Sequence, residues 1–319
     1  MDQKVFLTGG SGFVGAAVLK ALLARSNVSV VALSRDGRMP PRPRVEIARG
    51  DVTDEAALRR AMPGCDAAIH LVGIIAERPG DGVTFQRIHV EGTRAVVNAV
   101  SACGIGRYVH MSALGTRPDA VSDYHRTKWQ AEQIVRERAP NWTIFRPSMI
   151  YGEDGEFTQM VQAWAKRKAM PYLFMPYFGK GLTGFGGSAL VQPVRVEDVA
   201  RAFVEAALDR PESAGMVYDL VGPERMTWPE MYGRIAESTV GKRRLALPVP
   251  AWYAQLLTAV APRSLLPFNR DQVIMSQEDN TGDPTPLARD FGWQTRPIHE
   301  RPGAGAEKPA ADEAKGRID

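Results

Sequence analysis

Lys4-Val5-Phe6-Leu7-Thr8-Gly9-Gly10-Ser11-Gly12-Phe13-Val14-Gly15 runs from a short apolar stretch into a cluster of glycines. It continues into Ala16, Ala17, Val18, Leu19, Leu22 and Leu23, which are apolar at helical spacing. The stretch reads as strand, glycine turn, helix. It holds GxGxxG at Gly10, Gly12 and Gly15, and TGxxGxxG at Thr8, Gly9, Gly12 and Gly15. Between a strand and a helix, such glycines let the backbone approach a pyrophosphate while the helix N-terminus meets its charge. Residues Thr8, Gly9, Gly10, Ser11, Gly12, Phe13, Val14 and Gly15 are therefore candidates for binding a nicotinamide dinucleotide.

Working outward, VSVVALS (28–34), RVEIARGDV (44–52), AAIHLVG (67–73), RYVHMS (107–112) and WTIFRP (142–147) are further apolar runs. Helical patterns separate them at 54–62, 86–103 and from Ser122 to Arg138. Continuous apolar strands alternating with helices predict a parallel sheet covered on both faces. Residues 1–147 thus form a six-strand, doubly wound α/β domain. In such a sheet ligands bind at the carboxyl ends of the strands, which adds Asp51, Val52, Leu71, Val72 and Gly73 to the candidates. The residue closing the second strand selects the nucleotide, since a carboxylate accepts from a ribose 2′-hydroxyl and an arginine pairs with a 2′-phosphate. Ser34-Arg35 stands there, with Asp36 and Arg38 just beyond. This favours NADP(H), because a guanidinium binds phosphate in a bidentate manner, with NAD(H) through Asp36 as the alternative.

After Pro147 the composition changes. Pro171, Pro176 and the glycines from Gly179 to Gly187 lie among Phe174, Tyr177, Phe178 and Phe185, the pattern of a loop-rich cap. EDVARAFVEAAL (197–208) predicts a helix and MVYDLVG (216–222) a strand. Thr227, Trp228, Pro229 and Glu230 fit N-cap, N1, N2 and N3 of another helix. The expected layout is a smaller α+β substrate or partner region over 148–302, with segments returning to the first domain, and a disordered tail over 303–319. LALPVPAWYAQLLTAVAPRSLLPF (245–268) carries Trp252, Tyr253, Leu256, Leu257 and Val260 at helical spacing, flanked by Arg243, Arg244 and Arg263. It fits either a core helix or one lying at a membrane or partner surface, and it is too interrupted to span a bilayer.

Of 319 residues 44% are hydrophobic and 24% charged, the balance of a folded chain with a sizeable core. Lys plus Arg total 40 against 36 for Asp plus Glu, without a long basic run, which suits an anionic small ligand and not a nucleic acid. Cys65 and Cys103 have neither disulfide-framework nor zinc-ligand spacing, and no metal site is expected. His70 and His110, inside apolar strands, read as core residues, and Lys166, Arg167 and Lys168 as a solvated basic patch after a helix. Met1 stands almost directly before a strand, so a cytoplasmic chain is expected.

Tyr124-His125-Arg126-Thr127-Lys128 places a tyrosine and a lysine on one helix face. Tyrosine titrates near 10, so acid/base work near neutrality needs a neighbouring cation, which Lys128 can supply. Ser112, ending the fifth strand, could hydrogen-bond a substrate carbonyl or alcohol. TGGSGFVG, GDVTD, HLVG, HVEGTRAVVNAVSACGIGRYVHMSA, YHRTK and RPSMIYG together resemble the extended and atypical branches of the short-chain dehydrogenase/reductase superfamily, whose fold is Rossmann-type. That resemblance implies Tyr124 and Lys128 as the active pair, Ser112 as their partner, and Pro147 and Ser148 beside the nicotinamide. His89 stands where many epimerases of the extended branch carry Asn. RPSMIYGEDGEF, VQPVRVEDV, LVGPE, LALPVPAWYAQLLTAV, NRDQVIMSQEDN and LARDFGWQTRPI, in that order, resemble the nucleotide-binding accessory subunit of respiratory complex I and its bacterial relatives. The second resemblance implies an NADPH held for structure at a membrane-associated respiratory assembly, peripheral on the cytoplasmic face. The alternative is a working oxidoreductase or epimerase acting on a quinone-related, lipid or sugar-nucleotide substrate.

Overall fold

A computed structural model describes residues 2–260, 266 and 268–298. In chain order its first elements are β1 (Gln3–Thr8), α1 (Phe13–Leu23), β2 (Val28–Ser34), β3 (Val45–Arg49), α2 (Glu55–Ala61), β4 (Ala67–His70), α3 (Gly92–Ala102), β5 (Arg107–Met111), α4 (Asp123–Arg138) and β6 (Trp142–Pro147). They are followed by β7 (Ile150–Tyr151), α5 (Glu156–Ala165), β8 (Met175–Gly179), β9 (Leu190–Val191), β10 (Val194–Arg195), α6 (Val196–Leu208), β11 (Met216–Leu220), β12 (Met226–Thr227), α7 (Trp228–Val240), β13 (Ala246–Pro250), α8 (Ala251–Val260), α9 (Arg270–Met275) and α10 (Thr285–Phe291).

The central sheet is parallel throughout, in the order β11-β6-β5-β4-β1-β2-β3. The order reverses between β1 and β4, which opens the crevice where a doubly wound sheet receives its ligand. Six of its strands lie within residues 1–147 as expected, and β11 adds a seventh from beyond Pro147. α1 and α6 cover one face with Val18, Leu19, Val199, Ala202 and Phe203, and α2, α3 and α4 cover the other with Leu58, Val96, Val97, Val100 and Val135. Burial on both faces is why these strands read as continuous apolar runs rather than alternating ones.

A predicted helix over 86–103 is α3 preceded by a π-helical turn, Gln86–Glu91. Thr227 caps α7 in a reciprocal box with Glu230, as the sequence indicates. Between α5 and α7 lies a smaller core of Val161, Trp164, Met231, Tyr232 and Ile235. β13 pairs in parallel with β8, and α8 and α9 pack beside that ribbon through Ala254 and Val273. Of the stretch 245–268, residues 261–265 and 267 lie outside the described residues, as does the predicted tail 303–319.

Candidate active site

The glycine turn at the end of β1 is shaped by close approach. Gly9 sits at φ +76°, and a Cβ there would lie 3.3 Å from the backbone and Cβ of Leu71 and from the amide nitrogen of Val72. A Cβ on Gly15 would fall 1.9 Å from the Gly9 carbonyl oxygen, so α1 packs against the turn only because position 15 is glycine. Gly12 precedes α1 without a side-chain cap, and the first turn carries no acidic residue. Among the described residues no N-cap side chain and no first-turn carboxylate therefore competes with an anion for those first amides. Thr8, fully buried, binds the His70 Nδ1 at 2.7 Å and accepts the Leu71 amide at 3.3 Å, joining the ends of β1 and β4.

Beside this turn opens a cleft of about 550 Å³ whose lining includes Gly10, Ser34, Arg35, Asp36, Arg38 and Arg42. Among the described residues none of these three arginines stands in an ion pair. Asp36 is otherwise engaged: its carboxylate accepts the Arg38 amide at 3.1 Å and the Ser34 hydroxyl at 3.2 Å. Those contacts, the Arg38 amide foremost, hold its pKa below the usual aspartate value. The cleft thus offers three cations while its carboxylate holds its own turn. Asp51 is likewise local, accepting the amide and the hydroxyl of Thr53 at 2.9 and 2.7 Å. Val52 is buried against Gly92. The loop turn, the uncapped α1 and the cleft beside them fit a nicotinamide dinucleotide.

Tyr124 enters in the first turn of α4, whose N-cap Ser122 accepts the His125 amide at 3.2 Å. Its ring stands edge-on to Phe85 (5.9 Å between centroids), His89 (5.4 Å) and His125 (5.3 Å). Burial raises its pKa to about 12. One turn on, Lys128 is buried, and its Nζ donates to the Met111 carbonyl at 3.0 Å. A Cβ on Gly73 would come 2.9 Å from that Nζ, so glycine at the end of the β4 segment gives the amine its room. Burial lowers the Lys128 pKa to about 8, the Glu132 charge opposing.

His89, on the π-helical turn, bonds Thr127 Oγ1 through Nδ1 at 2.9 Å. The Thr127 hydroxyl also reaches the carbonyls of Asp123 and Tyr124, and His89 Nε2 lies 3.1 Å from both the amide nitrogen and the carbonyl oxygen of Ile74. Burial and the Lys128 charge keep this imidazole neutral, its pKa well below the ordinary value. His89 thereby ties the loop after β4 to the helix carrying Tyr124 and Lys128.

Ser112 bonds within the site to Glu132. Its hydroxyl donates to Glu132 at 2.6 Å, and Glu132, fully buried, takes a bidentate ion pair from Arg146 at 2.8 and 2.7 Å. The structure brings Tyr124, Lys128 and His89 together and turns Ser112 toward the carboxylate behind them. Pro147 accepts the Leu114 amide at 2.9 Å, and the Ser148 hydroxyl donates to the Gln192 carbonyl. The sequence reading missed Glu132, although Tyr124, Lys128 and Glu132 recur at four-residue steps and mark one polar stripe on a helix with a buried face. It passed over Arg42 because a loop of changing direction separates that arginine from β2. Among the described residues no group of His, Cys, Asp or Glu is arranged to hold a metal ion.

This fold with this nucleotide cleft defines an NAD(P)-binding α/β protein. The chain belongs to the NAD dependent epimerase/dehydratase family, whose profile matches residues 5–220. It is 25% identical over 315 residues to the mitochondrial NADH dehydrogenase [ubiquinone] 1 alpha subcomplex subunit 9 of Dictyostelium discoideum, covering 92% of this chain and 81% of that one. It is 31% identical over 265 residues to the ceramide reductase of Caulobacter vibrioides, covering 81% and 76%. The fold superposes on the NADPH-dependent quinone oxidoreductase of Escherichia coli, solved with NADPH, with a TM-score of 0.68 at 18% identity, covering 92% and 97%. No helix among the described residues is long and apolar enough to cross a membrane.

Proposed function

We propose that this chain is an NADP(H)-dependent reductase in which Tyr124 is the proton donor and Lys128 its positioning cation. Two observations carry the reading: a cleft beside the glycine turn with three arginines, none in an ion pair among the described residues, and a half-buried tyrosine one helical turn from a buried lysine next to the ends of β4 and β5. Arg35, Arg38 and Arg42 would hold the 2′-phosphate, and the Gly9–Gly15 turn with the α1 amides the pyrophosphate. Lys128, beside Gly73, would hold the nicotinamide ribose. When bound, the cofactor supplies the hydride. With a pKa of about 12 Tyr124 is protonated at neutral pH, so it serves as an acid toward the oxygen of a ketone being reduced. Lys128, charged below about pH 8, steadies the phenolate that remains. Ser112 acts only through Glu132, holding α4 in place.

The test is replacement of Tyr124 by Phe, with NADPH oxidation followed against a panel of long-chain ketones and quinones. Turnover should fall at least a hundredfold, the range attributed to a positioned acid, while NADPH affinity stays nearly unchanged. An unaltered rate would remove Tyr124 from the chemistry.

A second reading is favoured by the similarity to the complex I subunit, which spans nearly the whole chain. In it NADPH is held for structure at a respiratory assembly on the cytoplasmic face of the membrane. Stoichiometric NADPH in protein from its own cells, oxidised by no acceptor, would support that reading.

A further inference from the structure

We propose that the surface built from the β8–β13 ribbon, α8 and the glycine loop after β8 docks on an anionic lipid bilayer. The inference gives the peripheral association considered above a defined surface, and it does not depend on whether the site turns over. Residues 157–196 and 238–270 contain no Asp or Glu at all, although the chain carries 36. The fold sets these two acid-free stretches side by side. β8 pairs with β13, Met175 donates to the Leu245 carbonyl at 2.8 Å, and Arg244 donates to the Ala165 carbonyl at 2.9 Å. At the other end of the ribbon Trp252 Nε1 donates to the Leu182 carbonyl at 2.9 Å.

The combined surface is apolar and exposed. At one end protrude Met170, Tyr172, Leu173 and Leu245, and at the other Leu182 (80% exposed), Phe185 (73%) and Trp252 (50%). Trp252, Leu256 and Val260 repeat every four residues on α8, so the helix buries Ala251 and Ala254 and turns this stripe to solvent. Around the apolar residues stand Lys166, Arg167, Lys168, Lys180, Lys242 and Arg243, all exposed. A carboxylate from α7, Glu237, meets this rim, paired with Arg243 at 3.4 Å. Protruding apolar tips, a tryptophan and a tyrosine at their margin and a one-signed basic rim match a headgroup boundary with negative surface potential. α9, packed on α8, reaches back to the site: Asn269 Nδ2 donates to the Ile75 carbonyl and Asp271 accepts the Asp123 amide, both at 2.9 Å. Docking through this surface would bring α9, and its contacts to the segments beside Tyr124, close to the lipid.

The test mixes the purified full-length protein, with the nucleotide it retains, with phosphatidylcholine vesicles containing or lacking phosphatidylglycerol, followed by flotation. The protein should float with the anionic vesicles and be released as salt is raised. Trp252→Ser with Leu256→Ser should lower the partition at least tenfold without loss of bound nucleotide, which reports that the variant is folded. Lys166→Gln, Arg167→Gln and Lys168→Gln should each lower it by about fivefold. Absence of binding to anionic vesicles, or binding that neither set of variants lowers, would overturn the proposal. So would binding confined to native membranes and abolished by prior proteolysis of those membranes, which would assign the surface to a protein. Tyr124→Phe should float like the parent, so a failure here is distinguishable from a failure of the catalytic reading.

Discussion

Arg35 follows β2 and lines one cleft with Asp36, Arg38 and Arg42, the Asp36 carboxylate accepting the Arg38 amide within its own turn. If these cations read a 2′-phosphate, Arg35→Ala should weaken NADPH by about 1.5–3 kcal/mol, the value of a charged hydrogen bond, and leave NADH nearly untouched. With two guanidiniums remaining, the lower end of that range is expected. Equal weakening of both nucleotides, measured by fluorescence titration, would assign the cleft to NAD(H). Lys128 carries a second expectation. Because burial brings its pKa from 10.5 down to about 8, the side chain loses its charge as pH rises through that value. Reductive kcat/KM should therefore be level below about pH 8 and fall tenfold per unit above it, for a single essential proton. A profile that stays level to pH 10 would show that the Lys128 charge does not support the step.

The elements that sequence reading placed well are those whose signal is local. The β1–turn–α1 unit follows from glycines whose missing Cβ atoms can be checked one by one, and the α7 N-terminus from a cap pattern that needs four residues. What stayed hidden depends on partners distant in the chain. Ser112 at the end of β5 reads as a companion of Tyr124, yet Arg146 from β6 fixes Glu132, and Glu132 claims the serine hydroxyl. No spacing rule within α4 or β5 could show that Arg146 would arrive there. The π-helical turn at Gln86–Glu91 was equally illegible, since its apolar positions also fit an ordinary helix. It is this turn that delivers His89 to both Ile74 and Thr127. Local pattern located the nucleotide turn, and tertiary contacts decided which polar groups meet at Tyr124.

At the scale of the whole molecule, the nucleotide-binding sheet is not completed by its first 147 residues. Phe145, fully buried on β6, rests against Phe203 of α6 at 4.8 Å, Tyr218 of β11 at 5.7 Å and Phe291 of α10 at 6.0 Å. All three partners come from beyond Pro147, and α6 is also what covers α1 and the neighbouring strands on that face. Burial of one large side chain is worth about 3 kcal/mol or more when its removal leaves a void. Loss of the α6 face together with β11 should thus exceed the whole stability of a domain this size, about 5–15 kcal/mol. A chain of residues 1–147 is expected to lack a sigmoidal denaturant transition. One carried to residue 222, which restores α6 and β11, should regain a transition at a lower midpoint than the full protein, because Leu287 and Phe291 are still missing. Unfolding followed by circular dichroism in urea distinguishes these outcomes. A cooperative transition in the shorter fragment, at the midpoint of the full chain, would mean that the later segments decorate the sheet instead of completing it.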